Sequence, residues 1–197
     1  KRQIFDIDFS LLTNESKTPL NIKGKIPINK SEKVDLRLSG DGKIIELIES
    51  FTDEFFTFKK GDLNLRMIIK GTINKPIING FIVIKDSEID LYNNKIIDIN
   101  SSIIFDFESL EIENLQAMSE DSGKFLVKGS MPFYQNNSKS GQINLQTNKF
   151  NVKTDNLNFL LDSDLDLTGS FENPVLGGYL SLNLSLIHIS EPTRHRG

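Results

Sequence analysis

Apolar and polar residues alternate along most of the chain. Leu63, Leu65, Met67 and Ile69 are separated by Asn64, Arg66 and Ile68, with Asp62 and Lys70 at the ends. Phe5, Ile7 and Phe9 alternate with Asp6, Asp8 and Ser10, and Leu110 and Ile112 with Glu111 and Glu113. Ile103, Phe105 and Phe107 interleave with Asp106 and Glu108. Leu157, Phe159 and Leu161 lead into Leu165 and Leu167, which alternate with Asp164, Asp166 and Thr168. Period two sends successive side chains to opposite faces of a strand. These runs therefore predict strands dry on one side and wet on the other. Gly and Asn/Ser clusters separate them at strand-plus-turn spacing, and the fold class is all-β.

One segment follows a different period. Ile44, Leu47, Ile48, Phe51 and Phe55 form a single helical stripe, with Asp41 able to cap its start and Gly61 beyond Lys59-Lys60. This predicts one short helix from about Lys43 to Asp53. The stretch Phe55-Phe56-Thr57-Phe58 could equally begin a strand.

The chain also repeats itself. Gly71-Thr-Ile-Asn-Lys-Pro76-Ile-Ile-Asn-Gly80 matches Gly169-Ser-Phe-Glu-Asn-Pro174-Val-Leu-Gly-Gly178, 98 residues later. Lys23-Gly24-Lys-Ile-Pro27 matches Lys128-Gly129-Ser-Met-Pro132, 105 residues later. Two pairs at nearly one offset predict a stacked repeat of roughly 100 residues. About two such repeats fit residues 1–183, the second beginning near 105–129.

Composition narrows the function. Hydrophobic residues are 38% of the chain, low for a compact domain, yet 14 Phe exclude a disordered one. An elongated shape with little deep interior fits both values. Net charge is −4, so no basic nucleic-acid surface is expected. There is no Cys, hence no disulfide and no thiolate metal site. No apolar run reaches transmembrane length and no signal peptide is visible. The chain starts at Lys1 rather than Met, which suggests a fragment.

Residues 184–197 stand apart. Leu184-Ser-Leu-Ile-His-Ile-Ser-Glu-Pro-Thr-Arg194 reads as a translated sequencing adapter and breaks the Ile/Asn/Lys/Asp-rich pattern upstream. Both histidines, His188 and His195, fall in this tail. Without it the chain has no His to serve as the base of a nucleophilic triad. Asp162-Ser-Asp164-Leu-Asp166 begins like a calcium loop, but Leu167 and Asn173 stand where Gly and Glu are required. Gly40-Asp-Gly42-Lys43 is followed by Ile44 and Ile45, which fit neither a P-loop nor a dinucleotide fingerprint. The sequons at Asn14, Asn100 and Asn136 are what an Asn-rich chain produces by chance. The expectation is no catalytic residue, no metal site and no cofactor.

The order of features carries a resemblance. A strand ending in Gly71 is followed by Pro76, Gly80, Phe81-Ile-Val-Ile84 and Asp86-Ser-Glu-Ile89. Phe105-Asp-Phe107, a Ser119-to-Gly123 turn, Phe125-Leu-Val-Lys-Gly129 and Pro132 come next. This resembles the C-terminal β-repeat region of TamB-type translocation and assembly proteins, in the AsmA-like superfamily. The resemblance covers most of residues 1–183 and rests on a pattern, with no catalytic motif. It implies a long, twisted, half-open folded β-sheet crossing the periplasm from an inner-membrane anchor, its concave face apolar. It implies phospholipid transport toward the outer membrane, or work with a BAM-type outer-membrane barrel protein in assembling or secreting proteins. It also reaches cyanobacterial and plastid relatives tied to envelope protein import.

The pattern itself supports a groove, because a sheet with one apolar face must bury that face against something. The lining candidates are Leu63, Leu65, Met67, Ile69, Ile103, Phe105, Phe107, Phe125, Val127, Leu157, Phe159, Leu161, Leu165 and Leu167. The same residues would also suit an ordinary dry sandwich core. A membrane β-barrel ranks lower, since barrels carry Trp and Tyr girdles and this chain has no Trp and 3 Tyr. A secreted adhesin or solenoid ranks lower still.

Overall fold

The computed structural model describes residues 4–12, 18–43, 56–135, 141–154 and 157–185. They form strands β1 (Ile4–Leu11), β2 (Thr18–Pro27), β3 (Asp35–Gly42), β4 (Phe56–Gly71), β5 (Pro76–Leu91) and β6 (Asn94–Phe107). β7 (Ser109–Ser119), β8 (Lys124–Pro132), β9 (Gly141–Lys153), β10 (Asn158–Gly169) and β11 (Pro174–Ser185) follow. All eleven lie in one sheet, in sequence order, each antiparallel to the next. β1 and β11 are not paired with each other, so the sheet is an open meander and not a barrel. Nearly every residue of the expected helix lies outside the described residues, as do residues 186–197 of the tail. β11 runs on through Leu184 and Ser185, the first two residues of that tail, which pair with Phe159 and Asn158.

The sheet is strongly curled. In a flat sheet, strands two and three places apart would lie about 10 and 14 Å from each other. Here Leu20 of β2 packs on Phe58 and Leu63 of β4. Leu110 of β7 and Leu167 of β10 both join the cluster built on Val127, Met131 and Ile143. At one rim Asn94, which opens β6, clasps Lys153, which closes β9. Its amide donates to the Lys153 carbonyl (2.9 Å), and its Oδ1 accepts the Lys153 N–H (2.6 Å).

Bulges produce the bend. The register shifts near the middle of strand after strand: at Phe58/Lys60, Ile84/Ser87, Ile97/Asn100, Ile112/Leu115 and Leu161/Ser163. An extra residue on one strand of a pair kinks that strand and strengthens its twist. Several bulged residues sit at positive φ: Asp86 (48°), Asp98 (52°) and Lys149 (48°). The Asp86 N–H donates to the Asn100 side chain (3.1 Å), which itself donates to the Asp98 carbonyl (3.1 Å). The Lys149 N–H donates to the Asp162 carboxylate (2.7 Å). Side chains thus take up groups that the ladder drops, and the bend leaves those amides satisfied.

Candidate functional site

Residues paired across an antiparallel ladder point to the same face, so the register traces one face through the whole sheet. Leu63, Leu65 and Ile69 of β4 pair with Ile84, Ile82 and Ile78 of β5. Ile82 continues to Ile103, and Ile103 and Phe105 to Ile112 and Leu110. Leu115 and Ala117 meet Val127 and Phe125, and Val127 meets Leu145. Leu145, Ile143, Phe150 and Val152 pair with Leu165, Leu167, Leu161 and Phe159. Those β10 residues in turn face Gly178, Leu176, Leu182 and Leu184 of β11. Toward β1, Met67 and Ile69 face Leu38 and Leu36, Leu38 faces Ile22, and Ile22 faces Phe9. The result is a largely apolar surface on the inside of the curl.

Most lining residues predicted from sequence lie on this face, with two exceptions. Leu157 sits in the turn between β9 and β10, held out of the ladder by hydrogen bonds with Thr154, and is 47% exposed. Phe107 has the inner parity, opposite Ile78, but ends β6 at φ 57° and is 58% exposed. It stands on the lip of the groove, not within it.

The surface is only partly covered. Among the described residues, Val34, Phe58, Leu63, Ala117, Val127, Met131 and Ile143 are the buried hydrophobics, and Met131 alone of them has no exposure. The other lining residues named above are half-buried or open. Toward the edges the face is bare, with Phe5 at 61% exposure and Leu176 at 66%. No second sheet lies over it among the described residues, so the dry sandwich alternative fails.

The crease at the bottom of the curl is built from small residues. Ser87, Ser101, Ala117, Thr147 and Ser163 share the inner face there and are buried. A Cβ on Gly61 would come within 2.0 Å of the Ser87 hydroxyl. Where two arms of a bent sheet converge, only small side chains fit. Their hydroxyls are mostly satisfied: Ser87 donates to the Lys85 carbonyl (3.3 Å), and Thr147 and Ser163 bond each other (2.9 Å). Ser101 has no partner. Sequence reasoning missed this crease, because a Ser interrupting an apolar alternation looks like an error in the pattern.

One rim is marked by proline. β2 and β8 end at Pro27 and Pro132, while β5 and β11 begin at Pro76 and Pro174. Antiparallel order puts all four on the same side of the sheet, one on every third strand. Pro lacks the ladder donor and suits a strand end. A few residues inside each lies a glycine at positive φ: Gly24, Gly80, Gly129 and Gly178. At Gly80 and Gly129 a Cβ would sit 2.0 and 2.2 Å from the neighbouring strand's carbonyl oxygen. Beyond Pro132, Phe133 folds against the inner Phe105 (centroids 6.4 Å apart) and Phe171 (5.8 Å). The Tyr134 hydroxyl donates to the Pro76 carbonyl (3.0 Å). Burial, then the charges of Glu108 and Glu172, raise the Tyr134 pKa, which keeps the phenol neutral.

The outer face is wet and ion-paired. Lys23 and Lys25 of β2 meet Asp8 and Asp6 of β1 (3.2 and 3.6 Å). Glu88 takes both Lys95 (2.9 Å) and Lys60 (3.4 Å), and the hydrogen bond from Lys95 leads the effects that lower its pKa. Asn144 and Gln142 donate to Asp166 (3.0 and 2.8 Å) and lower its pKa. No cluster of three metal-ligating side chains occurs among the described residues, and no described helix is long and apolar enough to cross a membrane.

A groove of this geometry offers burial for chains of methylenes. The chain is similar to Protein TIC236, chloroplastic, of Arabidopsis thaliana. The two are 24% identical over 128 residues, which cover 63% of this chain and 6% of that protein. The chain thus spans a small fraction of its curated relative's length. No protein-family model and no solved structure matches it.

Proposed function

We propose that this chain is a non-catalytic segment of an envelope-spanning scaffold of the TamB/AsmA-like type, whose groove carries phospholipid acyl chains between two membranes. The observation that carries the reading is the largely apolar inner face that runs from strand to strand on either side of the crease of small residues. Each methylene moved from water into it gains about 0.8 kcal/mol, so ten methylenes supply about 8 kcal/mol before ordering costs. Similarity to a chloroplast protein agrees with the TamB-type resemblance, which reaches plastid relatives. The scaffold would be held in the inner membrane by a part outside this chain and would lie in the periplasm or an equivalent envelope space.

Photocrosslinking tests the reading. A benzophenone amino acid at Phe159 or Leu167 should capture phospholipid in cells, and one at the outward Asp164 or Asp166 should not. Equal capture at both sets, or none at either, would refute it.

A second reading takes the same inner apolar face as a shelter for a protein client in place of lipid. The apolar side of a client's strand could lie against it, which would suit assembly or secretion of outer-membrane proteins with a BAM-type barrel partner. Copurification with such a barrel protein, without lipid, would favour it.

A further inference from the structure

At the proline rim a cavity of about 640 Å³ opens where Phe107 leaves β6. Its lining includes Lys75, Asp106, Phe107, Glu108 and Tyr134. The position straddles the lip of the groove. Phe107 lies opposite Ile78 on the inner side, and Asp106 lies opposite Asn79 on the outer side. Charges of both signs lie around it. Lys75 lies over the Tyr134 ring at 6.0 Å and makes no ion pair among the described residues. Asp106 and Glu108 make no ion pair among the described residues either, and both are exposed at the cavity. Tyr134 is fixed by its bond to Pro76, so this wall is held in place.

A cation and two carboxylates, separate from one another yet around one cavity, complement a ligand carrying a phosphate and an amine. An apolar ring leading from that cavity onto an oily face complements an acyl chain. We propose that the lip binds the headgroup of an aminophospholipid, with Lys75 facing the phosphate, Asp106 and Glu108 facing the ammonium, and the acyl chain passing Phe107 into the groove. This rests on the lipid reading above and adds a headgroup preference to it. The preference would be supplied at the rim, leaving the apolar interior indifferent to headgroup.

The test uses the purified chain and NBD-labelled dioleoyl phosphatidylethanolamine or phosphatidylglycerol in mixed detergent micelles, read by fluorescence anisotropy. Phosphatidylethanolamine should bind more tightly. Asp106→Asn with Glu108→Gln should cut that preference by about two- to fivefold, the range expected for partly exposed charge pairs. Lys75→Glu should weaken both lipids. Leu165→Asn, inside the groove, should weaken both lipids equally and leave their ratio unchanged. Free phosphoethanolamine at millimolar concentration should not displace the lipid, and displacement would mean a soluble phosphoamine site in place of a lipid one. If the double variant keeps the wild-type ratio while lipid still binds, the headgroup site is wrong and the groove stands. If the wild type binds neither lipid, both fall. Circular dichroism checks that each variant is folded.

Discussion

Gly129→Ala is expected to destabilise the sheet far more than the loss of a hydrogen atom suggests. Gly129 lies mid-sheet in β8, between Ile112 of β7 and Ile143 of β9. Its φ is 130°, and an added Cβ would lie 2.2 Å from the Gln142 carbonyl oxygen and 2.9 Å from Ile143 Cα. The backbone strain costs about 1–3 kcal/mol. To relieve the clash, β8 and β9 must part by roughly 1 Å, which weakens two or so ladder bonds worth about 0.5–1.5 kcal/mol each. The total is about 2–6 kcal/mol. Urea unfolding followed by circular dichroism measures it. With a slope near 2 kcal/mol per molar, the midpoint should fall by about 1–3 M. Gly177→Ala is the control, because no heavy atom lies within 4 Å of its would-be Cβ and its φ is not positive. It should change stability by less than about 0.5 kcal/mol. If the two variants unfold at the same midpoint, the close approach of β8 and β9 at Gly129 is not a constraint, and the role given to the four rim glycines is wrong.

Other outcomes follow from packing and charge. Met131→Ala empties a site with no exposure and should cost about 2–5 kcal/mol in the same assay, whereas Leu180→Ala, 52% exposed, should cost much less. Asn100→Ala removes both bonds that hold the bulges at Asp86 and Asp98 and should cost about 1–3 kcal/mol, with faster hydrogen exchange at the Asp86 amide. Ser101→Ala deletes a buried hydroxyl without a partner and should leave the protein as stable or more so. Glu88 has a folded-state pKa below its ordinary 4.5, through the Lys95 bond first and then the Lys95 and Lys60 charges against opposing desolvation. Its contribution is therefore complete above about pH 4.5 and lost as pH falls through the lowered folded value. Glu88→Gln should flatten that part of the stability–pH curve, and an unchanged curve would rule the pairing out.

Much of the groove was legible because alternation is a local property. Where polar residues occupy the outward positions, as Asn64 and Arg66 do beside Leu65, the inner face could be read directly. β5 hid its own: Phe81-Ile-Val-Ile84 is apolar at every position, so the inward Ile82 and Ile84 could not be told from the outward Phe81 and Val83. Leu157 shows the opposite error. Its spacing continues the run of Phe159 and Leu161, but the turn bonds with Thr154 take it out of the strand.

The sequence by itself determined that the chain makes strands with one oily face, since period two acts through nearest neighbours and needs no knowledge of which strand pairs with which. The tertiary structure decided that the strands form one open sheet, where that sheet bends and what lies at its rim. Bulges exist only relative to a partner strand, so the crease and its buried serines cannot be seen in a single strand. The Gly–Pro mark recurs on every third strand, but antiparallel strands reverse the reading direction. Gly24 precedes Pro27, and Pro76 precedes Gly80, so along the chain only every second occurrence matches and the spacing looks twice as long. Side by side in the sheet, all four fall on one rim.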